Sequence, residues 1–363
     1  MISLYFHIPF CKKKCPYCHF YVIPNKARDR ALLAEGFALE WERQRPLLQN
    51  SSIASIYFGG GTPSLLEVEQ IRAVIQRCGP LDQECEITIE ANPEDGEPEL
   101  FQALKEAGIN RISFGVQSLD DRSLVDLGRA HTGAKAKSAI AAAHLAGIGN
   151  ISIDLMYDIP DQTESSWRYT LDQLQDLPIQ HVSLYNLTIE PHTSFYRRKN
   201  ELRLPTQELS LRLLSDALVK FEQLGLERYE ISAFAKPGFE SKHNTGYWTF
   251  RPFLGFGPSA FSYWNGERFQ NTPNLQRYVR ALKAGESPIF FRETLPYPHN
   301  LHEQIAVGLR LQRGCVLPDK TPDETLRTLQ RLQEKGLVLQ TGRLVQLTER
   351  GQFFYDTVAT EII

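Results

Sequence analysis

Six short runs rich in β-branched and aromatic residues alternate with helical patterns along the first two-thirds of this 363-residue chain. Alternation with connections of this length predicts a parallel sheet with right-handed crossovers. Six units fit an α/β fold with a partial (β/α)6 TIM-like barrel better than a closed eight-stranded barrel, and a doubly wound open sheet is the alternative. The predicted strands cover residues 2–8, 53–58, 86–91, 111–116, 151–156 and 181–187.

Helical patterns lie between these strands, and Gly108, Gly147 and Gly225 follow helical runs where a left-handed residue is expected. A long amphipathic helix is predicted over residues 206–224, followed by an aromatic, glycine-rich segment at 247–269 that has little helical periodicity. The predicted helices of the first two-thirds lie near residues 27–45, 65–77, 99–107, 122–127, 134–146 and 165–177.

The last third of the chain predicts a smaller α+β unit. Helices at 300–311 and 321–335, a hairpin at 337–347 and a helical tail from Glu349 are similar to a winged-helix arrangement. The expected division is a core domain at residues 1–232 and a C-terminal domain at 233–363. A net charge of −3 lacks the basic balance of nucleic-acid binders, so a structural cap is favoured over nucleic-acid binding.

Three cysteines follow the first predicted strand with the spacing Cys-x3-Cys-x2-Cys: Cys11, Cys15 and Cys18. Three thiolates can hold three irons of a four-iron cluster, which leaves the fourth iron open to another ligand. The alternatives are a labile trio of thiols or a zinc site completed by His7 or His19. The remaining cysteines lie far downstream and show no metal-binding pattern with the first three.

This spacing resembles the signature of radical S-adenosylmethionine (SAM) proteins. In that superfamily the amino and carboxylate groups of SAM bind the open iron, and reduction splits SAM into methionine and a 5′-deoxyadenosyl radical. The segment Gly59-Gly60-Gly61-Thr62 after the second strand resembles the glycine segment that contacts the methionyl amine. The resemblance therefore implies that role for Gly60, Gly61 and Thr62.

Polar side chains are predicted at successive strand ends: Glu90 ends the third strand, Gln117 ends the fourth and Asp154 ends the fifth, with Arg129 nearby. Barrel enzymes place their sites at this edge. Carboxylates can hold the amine or ribose hydroxyls of SAM, and a guanidinium fork can hold its carboxylate. Singly, each residue is an ordinary surface or structural polar group; together they favour a binding site.

A narrower resemblance is to the anaerobic coproporphyrinogen III oxidases and their haem-chaperone relatives. The segments HIPFC, CPYC, FGGGTP, ANPE, FGVQS, LGRAH and IDLMY carry it, and it extends through the whole chain. A backbone contact to SAM is implied near Thr188. The implied SAM-binding positions are Tyr5, Tyr17, Gly60, Gly61, Thr62, Glu90, Gln117, Arg129, Asp154 and Thr188.

Two features favour the chaperone branch, the HemW haem chaperones, over the oxidases. Phe20 stands where the oxidases have a fourth cysteine, and only four residues precede Tyr5, where the oxidases have a substantial extension. The segment from His243 to Trp248 also matches the His-Asn-x-x-Tyr-Trp motif of haem chaperones. His243 could then ligate haem iron while Tyr247 and Trp248 pack on the porphyrin; the alternative is an aromatic lid on the barrel.

A few positions depart from the family pattern. Asp158 and Asp161 stand where relatives commonly have glycines, and His19 stands where aspartate is frequent. Lys12, Lys13 and Lys14 give the cysteine loop positive charge, which either favours electron uptake by an anionic cluster or simply solvates the loop. These departures concern local loop geometry and leave the cysteine spacing intact.

The expected function is a haem chaperone that binds a [4Fe-4S] cluster with exchangeable SAM and transfers haem to acceptor proteins. The alternatives are oxygen-independent coproporphyrinogen III oxidation, which the branch features disfavour, and nucleic-acid modification. Whether SAM is cleaved reductively is left open. Haem, haem-accepting proteins and an electron donor are the expected partners, with no nucleic acid. A cytoplasmic location is expected, with peripheral membrane association through an acceptor as a further alternative.

Overall fold

In the computed structural model, which describes residues 1–48 and 51–363, twelve strands form one open sheet. Its order is β12-β11-β10-β9-β1-β2-β3-β4-β5-β6-β8-β7. The strands in chain order are β1 (Ile2–Ile8), β2 (Ile53–Gly60), β3 (Glu86–Ala91), β4 (Arg111–Gln117), β5 (Asn150–Tyr157), β6 (His181–Asn186), β7 (Glu227–Arg228), β8 (Ala233–Ala235), β9 (Phe253–Phe256), β10 (Phe261–Trp264), β11 (Glu267–Asn271) and β12 (Ile289–Thr294).

The six predicted strands are confirmed as β1 to β6, which pair in parallel along the sheet. The fold is the expected α/β partial barrel, because the sheet does not close. One parallel strand of the twelve-stranded sheet, β9, was not predicted from the sequence. It pairs in parallel with β1, with Leu4 opposite Leu254. The short strands beyond β6 and β9 pair antiparallel and extend the sheet at both edges.

Helices follow most of the parallel strands. Several of these helices begin after a capping residue. At Thr132, for example, the hydroxyl oxygen accepts a hydrogen bond from the Lys135 amide at 3.2 Å. The predicted left-handed conformation is confirmed at Gly108, Gly147 and Gly225. The helices are α1 (Ala27–Leu48), α2 (Val68–Arg77), α3 (Pro98–Glu106), α4 (Asp121–Asp126), α5 (Gly133–Leu145), α6 (Glu164–Asp172), α7 (Ser194–Arg197), α8 (Gln207–Gln223), α9 (Lys242–Trp248), α10 (Leu275–Lys283), α11 (His299–Gly308), α12 (Asp323–Glu334), α13 (Glu349–Phe353) and α14 (Tyr355–Ile362).

The two faces of the parallel sheet differ in chemistry because successive side chains of a strand point to opposite faces. On β1, Leu4 and Phe6 join the large apolar core, whereas Ser3 and Tyr5 belong to the other face. The same alternation holds along β2 to β6. The second face carries the polar side chains Ser55, Tyr57, Glu86, Thr88, Glu90, Arg111, Ser113, Ser152, Asp154, His181 and Ser183.

Helix α9 lies against this polar face, which no local pattern indicates. Its first amides, those of Lys242 and His243, each donate to the buried Glu86 carboxylate at 3.0 Å. A carboxylate at a helix N-terminus also complements the helix dipole. Inside the sheet, Ser55 Oγ lies 2.9 Å from Nδ1 of His243. The helix is therefore docked into the barrel by hydrogen bonds to β2 and β3.

Residues from Leu301 onward form a second apolar core with Ile305, Leu329, Val345 and Val358 among its members. Helices α11 and α12, a three-stranded sheet and the final helices surround it. The helices and the hairpin follow the predicted order, whereas the short strand at Cys315–Val316 between α11 and α12 was not predicted. The division at residue 232 stays a prediction, and strands β8 to β12 pair with the barrel sheet. The small sheet consists of β13 (Cys315–Val316), β14 (Val338–Thr341) and β15 (Leu344–Leu347).

The loop after β5 holds Asp158 and Asp161, the two aspartates at which the sequence analysis expects a departure from the family pattern. Asp158 has φ 62° and Asp161 has φ 59°, the left-handed conformation that glycine adopts readily and that aspartate tolerates. The departure in sequence is therefore compatible with a glycine-like backbone. No helix in the described part of the chain combines the length and the apolar character needed to cross a membrane.

Candidate functional site

The cysteine loop is held between two strand ends. Residues Phe10–Cys11 pair in parallel with Ile23–Pro24, and the intervening loop carries Cys15 and Cys18. The glycine segment after β2 is bonded to the same loop, since the Gly61 amide donates to Ile8 O at 2.8 Å. The two segments that the motifs singled out are thus parts of one rigid unit.

Gly61 sits where a side chain cannot fit, because a Cβ there would lie 2.6 Å from the backbone oxygen of Phe10. We expect Gly61→Ala to lower the free energy of unfolding by roughly 1–3 kcal/mol and to reduce iron retention, since the cysteine loop must shift. Gly149→Ala is the matched control, because a Cβ there meets nothing within 4 Å. Urea unfolding and iron analysis of both variants test this prediction. Equal unfolding free energies and equal iron contents of Gly61→Ala and Gly149→Ala would contradict it.

A cavity of about 430 Å³ opens at the carboxyl ends of the parallel strands. All three motif cysteines line it, together with nine of the ten positions implied for SAM binding; the tenth, Tyr5, lies in a neighbouring cavity. Asp154 lines it from within β5, three residues before the strand ends, and not from the strand end as predicted. The lining residues from the prediction are Cys11, Cys15, Cys18, Tyr17, Gly60, Gly61, Thr62, Glu90, Gln117, Arg129, Asp154 and Thr188.

The three motif thiols line one cavity, as a cluster held by three thiolates requires. All three are free cysteines, Thr62 Oγ1 lies 3.7 Å from Cys11 Sγ, and Nη1 of Arg129 donates to Cys15 Sγ at 3.4 Å. Burial raises the pKa of Cys11 to about 11, so bound iron would displace a proton from that thiol. Among the described residues no three ligand side chains converge as around a single ion. A cubane, by contrast, takes each thiolate on a different iron.

A chain of hydrogen bonds links Cys11 to Cys15 through Asn92, a residue that the sequence analysis did not assign to the site. Arg129 Nη2 donates to Asn92 Oδ1 at 2.6 Å, and Asn92 Nδ2 donates to Thr62 Oγ1 at 2.9 Å. Thr62 in turn contacts Cys11, while Arg129 contacts Cys15. Asn92 belongs to the segment ANPE, which the sequence analysis used only as evidence of the family resemblance. Asn92 is therefore a positioning residue of the cysteine loop.

Two polar atoms at the cavity wall lack partners and so fit a bound polar ligand. Gln117 Oε1 and Arg129 Nε are buried without a hydrogen bond. Gln117 also has φ 65°, an uncommon backbone conformation for a residue with a side chain. Unpaired buried polar groups are costly in an otherwise satisfied fold. Their convergence on one cavity indicates that a ligand completes it.

Two of the carboxyl groups that line the cavity, those of Glu90 and Asp154, have raised pKa values. Burial, followed by the charge of Asp154, raises the pKa of Glu90 to about 7, and burial raises the pKa of Asp154 to about 6. Glu90 accepts from the Gly60 amide at 3.0 Å and from the Tyr57 hydroxyl at 2.9 Å. A ligand that brings positive charge would favour the ionised forms of both acids. The cavity therefore suits a ligand with an amine or sulfonium.

A second cavity, of about 650 Å³, adjoins the first and is here called the aromatic cavity. His19 and Phe20 line both cavities, so the two share a wall. Nine aromatic side chains besides histidines surround the aromatic cavity. They are Tyr5, Phe20, Tyr21, Tyr247, Trp248, Phe250, Phe253, Phe261 and Tyr263.

The haem-binding candidates occupy different places relative to this cavity. Tyr247 and Trp248 line it, whereas His243 lies beneath it and is 1% exposed. The two ring nitrogens of His243 lie 2.9 Å from Ser55 Oγ and 2.8 Å from the Tyr247 hydroxyl. Burial lowers the pKa of His243 to about 3, so its ring is neutral. Iron ligation by His243 stays a prediction, and in the described conformation both nitrogens are already bonded.

Comparison with known proteins gives consistent matches. The model of the radical SAM superfamily matches residues 5–174. The chain is 34% identical over 376 residues to the protein called heme chaperone HemW of Bacillus subtilis, covering 99% of this chain and 98% of that protein. The HemW of Haemophilus influenzae is 37% identical over 292 residues, or 77% of this chain and 76% of that protein.

A eukaryotic relative and a solved structure extend these matches. The mitochondrial radical S-adenosyl methionine domain-containing protein 1 of Danio rerio is 31% identical over 369 residues, covering 96% of this chain and 82% of that protein. The coproporphyrinogen III oxidase HemN of Escherichia coli, solved as a radical SAM enzyme, superposes with a TM-score of 0.86. That match covers 99% of this chain and 89% of HemN at 22% identity, which establishes a common fold.

Proposed function

Because this chain belongs to the HemW family of the radical SAM superfamily, we propose that it is a haem chaperone. It would bind a [4Fe-4S] cluster and SAM in the first cavity, bind haem in the aromatic cavity and pass that haem to acceptor proteins. The observation that carries the proposal is the wall of His19 and Phe20 common to the two cavities. It would place an apolar cargo next to the cluster-binding loop.

Different residues of the first cavity would bind the cluster and SAM. Cys11, Cys15 and Cys18 would hold the cluster, while Gly60 and Glu90 would bind the cationic end of SAM. Arg129, whose guanidinium side chain lines the cavity, would bind a carboxylate. When bound, cluster and SAM together supply one-electron chemistry that the side chains lack. The protein contributes orientation, charge balance and exclusion of water.

The aromatic cavity suits a large planar apolar ligand. Its volume lies within the range of about 300–1,000 Å³ that ligand sites occupy, and its walls are mostly aromatic. The indole Nε1 of Trp248 is buried without a partner. A porphyrin face would pack on Tyr247 and Trp248. His243 would support Tyr247 from below, as the 2.8 Å contact between them indicates.

The oxidase alternative receives less support from the residues around the cysteines. Phe20, in the position of the fourth oxidase cysteine, is 55% exposed and borders both cavities. A phenylalanine there adds apolar surface to the proposed haem-facing wall and removes a thiol. We therefore favour cargo binding over turnover of coproporphyrinogen III.

Two proteins would work with this chain: an electron donor and a haem acceptor. Lys14 donates to Phe20 O at 3.1 Å, and Lys12 pairs with Asp95, so both lysines fix the cysteine loop as well as charge it. An anionic electron donor would be attracted to this loop. An acceptor embedded in a membrane would bring the chain to the membrane surface.

Charge on Glu90 should control the affinity for SAM. We expect Glu90→Gln to weaken SAM binding roughly tenfold, the loss typical of a charge-assisted hydrogen bond. Because the pKa of Glu90 is raised to about 7, its carboxylate is lost as the pH falls through about 7, and parent affinity should fall with it. The variant should show a flatter dependence. Calorimetry with the cluster-loaded protein measures this; Glu84→Gln, which alters an 86% exposed side chain, is the control.

Haem uptake and release test the proposed function. Protein with its cluster rebuilt anaerobically is titrated with haemin, then mixed with an apo-form of a b-type haem protein, and the Soret band is followed. We expect one haem per chain and movement of haem to the acceptor. Failure to take up haem would refute the proposal.

A further inference from the structure

Charged side chains interrupt the otherwise aromatic wall of the second cavity. They are two guanidinium groups, Arg251 and Arg268, and one carboxylate, Glu303. Charges in partly apolar surroundings act more strongly on a bound ligand than charges at an open surface. The excess of positive charge on this wall indicates a ligand with carboxylates of its own.

Arg268 lies on β11, opposite Tyr263 of β10 and Glu293 of β12. Its Nη1 is 3.5 Å from Glu293 Oε2, and its Nη2 contacts Glu303 Oε1 on α11. The side chain of Arg268 is 34% exposed and that of Glu303 is 21% exposed. This ion pair thus joins the barrel sheet to the C-terminal unit across the cavity wall, where a ligand carboxylate could compete for it.

Arg251 follows α9 and holds its place with neutral partners. Its Nη1 donates to Lys242 O at 3.0 Å and to Ser3 Oγ at 3.3 Å. Among the described residues no carboxylate lies within salt-bridge distance of this guanidinium, in contrast to Arg268. Its remaining nitrogens are therefore available to an anionic group in the cavity.

We propose that Arg251 and Arg268 bind the carboxylates of the tetrapyrrole cargo and that Glu303 occupies Arg268 until the cargo arrives; this rests on the proposed function. Arg251 takes one carboxylate without losing a partner. The second carboxylate takes the place of Glu303 on Arg268, because a guanidinium fork matches a carboxylate in geometry and charge. Loading therefore exchanges a contact between the sheet and α11 for a contact between the sheet and the cargo.

The test uses two probes, haemin and haemin dimethyl ester, which has the same ring but no free carboxylate. We expect Arg268→Gln to weaken haemin binding roughly tenfold and to leave dimethyl ester binding unchanged within about twofold. Glu303→Gln should tighten haemin binding, because it removes the competing carboxylate. Arg292→Gln is the matched control, since Arg292 pairs with Glu267 outside the cavity.

Equal weakening of both probes by Arg268→Gln would overturn the inference, as would weaker haemin binding by Glu303→Gln. If Arg268→Gln does not fold, the effect of Glu303→Gln on haemin binding tests the inference by itself. A parent protein that binds neither probe would refute the proposed function itself. Binding of both probes with no effect of either substitution would refute only the assignment of the carboxylate sites.

Discussion

Replacing Cys11, Cys15 and Cys18 together with alanine is expected to remove essentially all cluster iron, from about four irons per chain to near zero. All three thiols line the same cavity, and no other cysteine does. The fold should persist, because none of the three side chains is fully buried and the large apolar core excludes them. Iron and sulfide analysis of anaerobically reconstituted protein measures the loss.

The matched control for this prediction is Cys315→Ala. Cys315 is also a free, partly buried cysteine, but it belongs to the C-terminal core region and does not line the cysteine cavity. It should retain the parent iron content. Full iron retention by the triple variant, or an equal loss in Cys315→Ala, would show that the cluster is not where the geometry indicates.

Filling the aromatic cavity is expected to weaken haem binding while sparing the cluster. Val307 on α11 lines that cavity, so Val307→Trp would place an indole where the porphyrin is proposed to lie. We expect haemin affinity to fall about tenfold or more, since a bound ring would clash with the new side chain. Iron content and SAM affinity should stay at parent values, because Val307 does not line the cysteine cavity.

Val219→Trp controls for the added indole. Val219 lies on α8 with 52% of its side chain exposed and lines neither cavity. It should bind haemin as the parent does. Unchanged haemin binding by Val307→Trp would move the haem site away from the aromatic cavity and remove the basis for the roles of Tyr247 and Trp248.

Local pattern was sufficient for the barrel strands and for most of the first cavity. Each of β1 to β6 is a short run with turn residues after it, so its end could be located and Glu90 and Gln117 assigned to one edge. The cysteine and glycine motifs were equally local. The structure adds that Gly61 and Thr62 are bonded directly to Ile8 and Phe10 of the cysteine segment.

The sequence did not reveal which distant segments of the chain contact one another. Strand β9 joins β1 across about 250 residues, and α9 is docked by Glu86, which is 156 residues from Lys242. Segment 247–269 therefore lacked helical periodicity for a reason: after Trp248 it forms β9, β10 and most of β11. His243 looked like an accessible ligand because the motif does not reveal that its ring lies beneath Tyr247. Asn92 was missed because its role depends on Arg129 and Thr62 together.

The proposed function is to carry haem and not to oxidise a porphyrinogen. The most direct measurement incubates one anaerobically reconstituted sample, with SAM and a reductant, with haemin and separately with coproporphyrinogen III. We predict stoichiometric haem binding that Val307→Trp weakens, and no decarboxylated porphyrin product. Conversion of coproporphyrinogen III without haem binding would contradict the account.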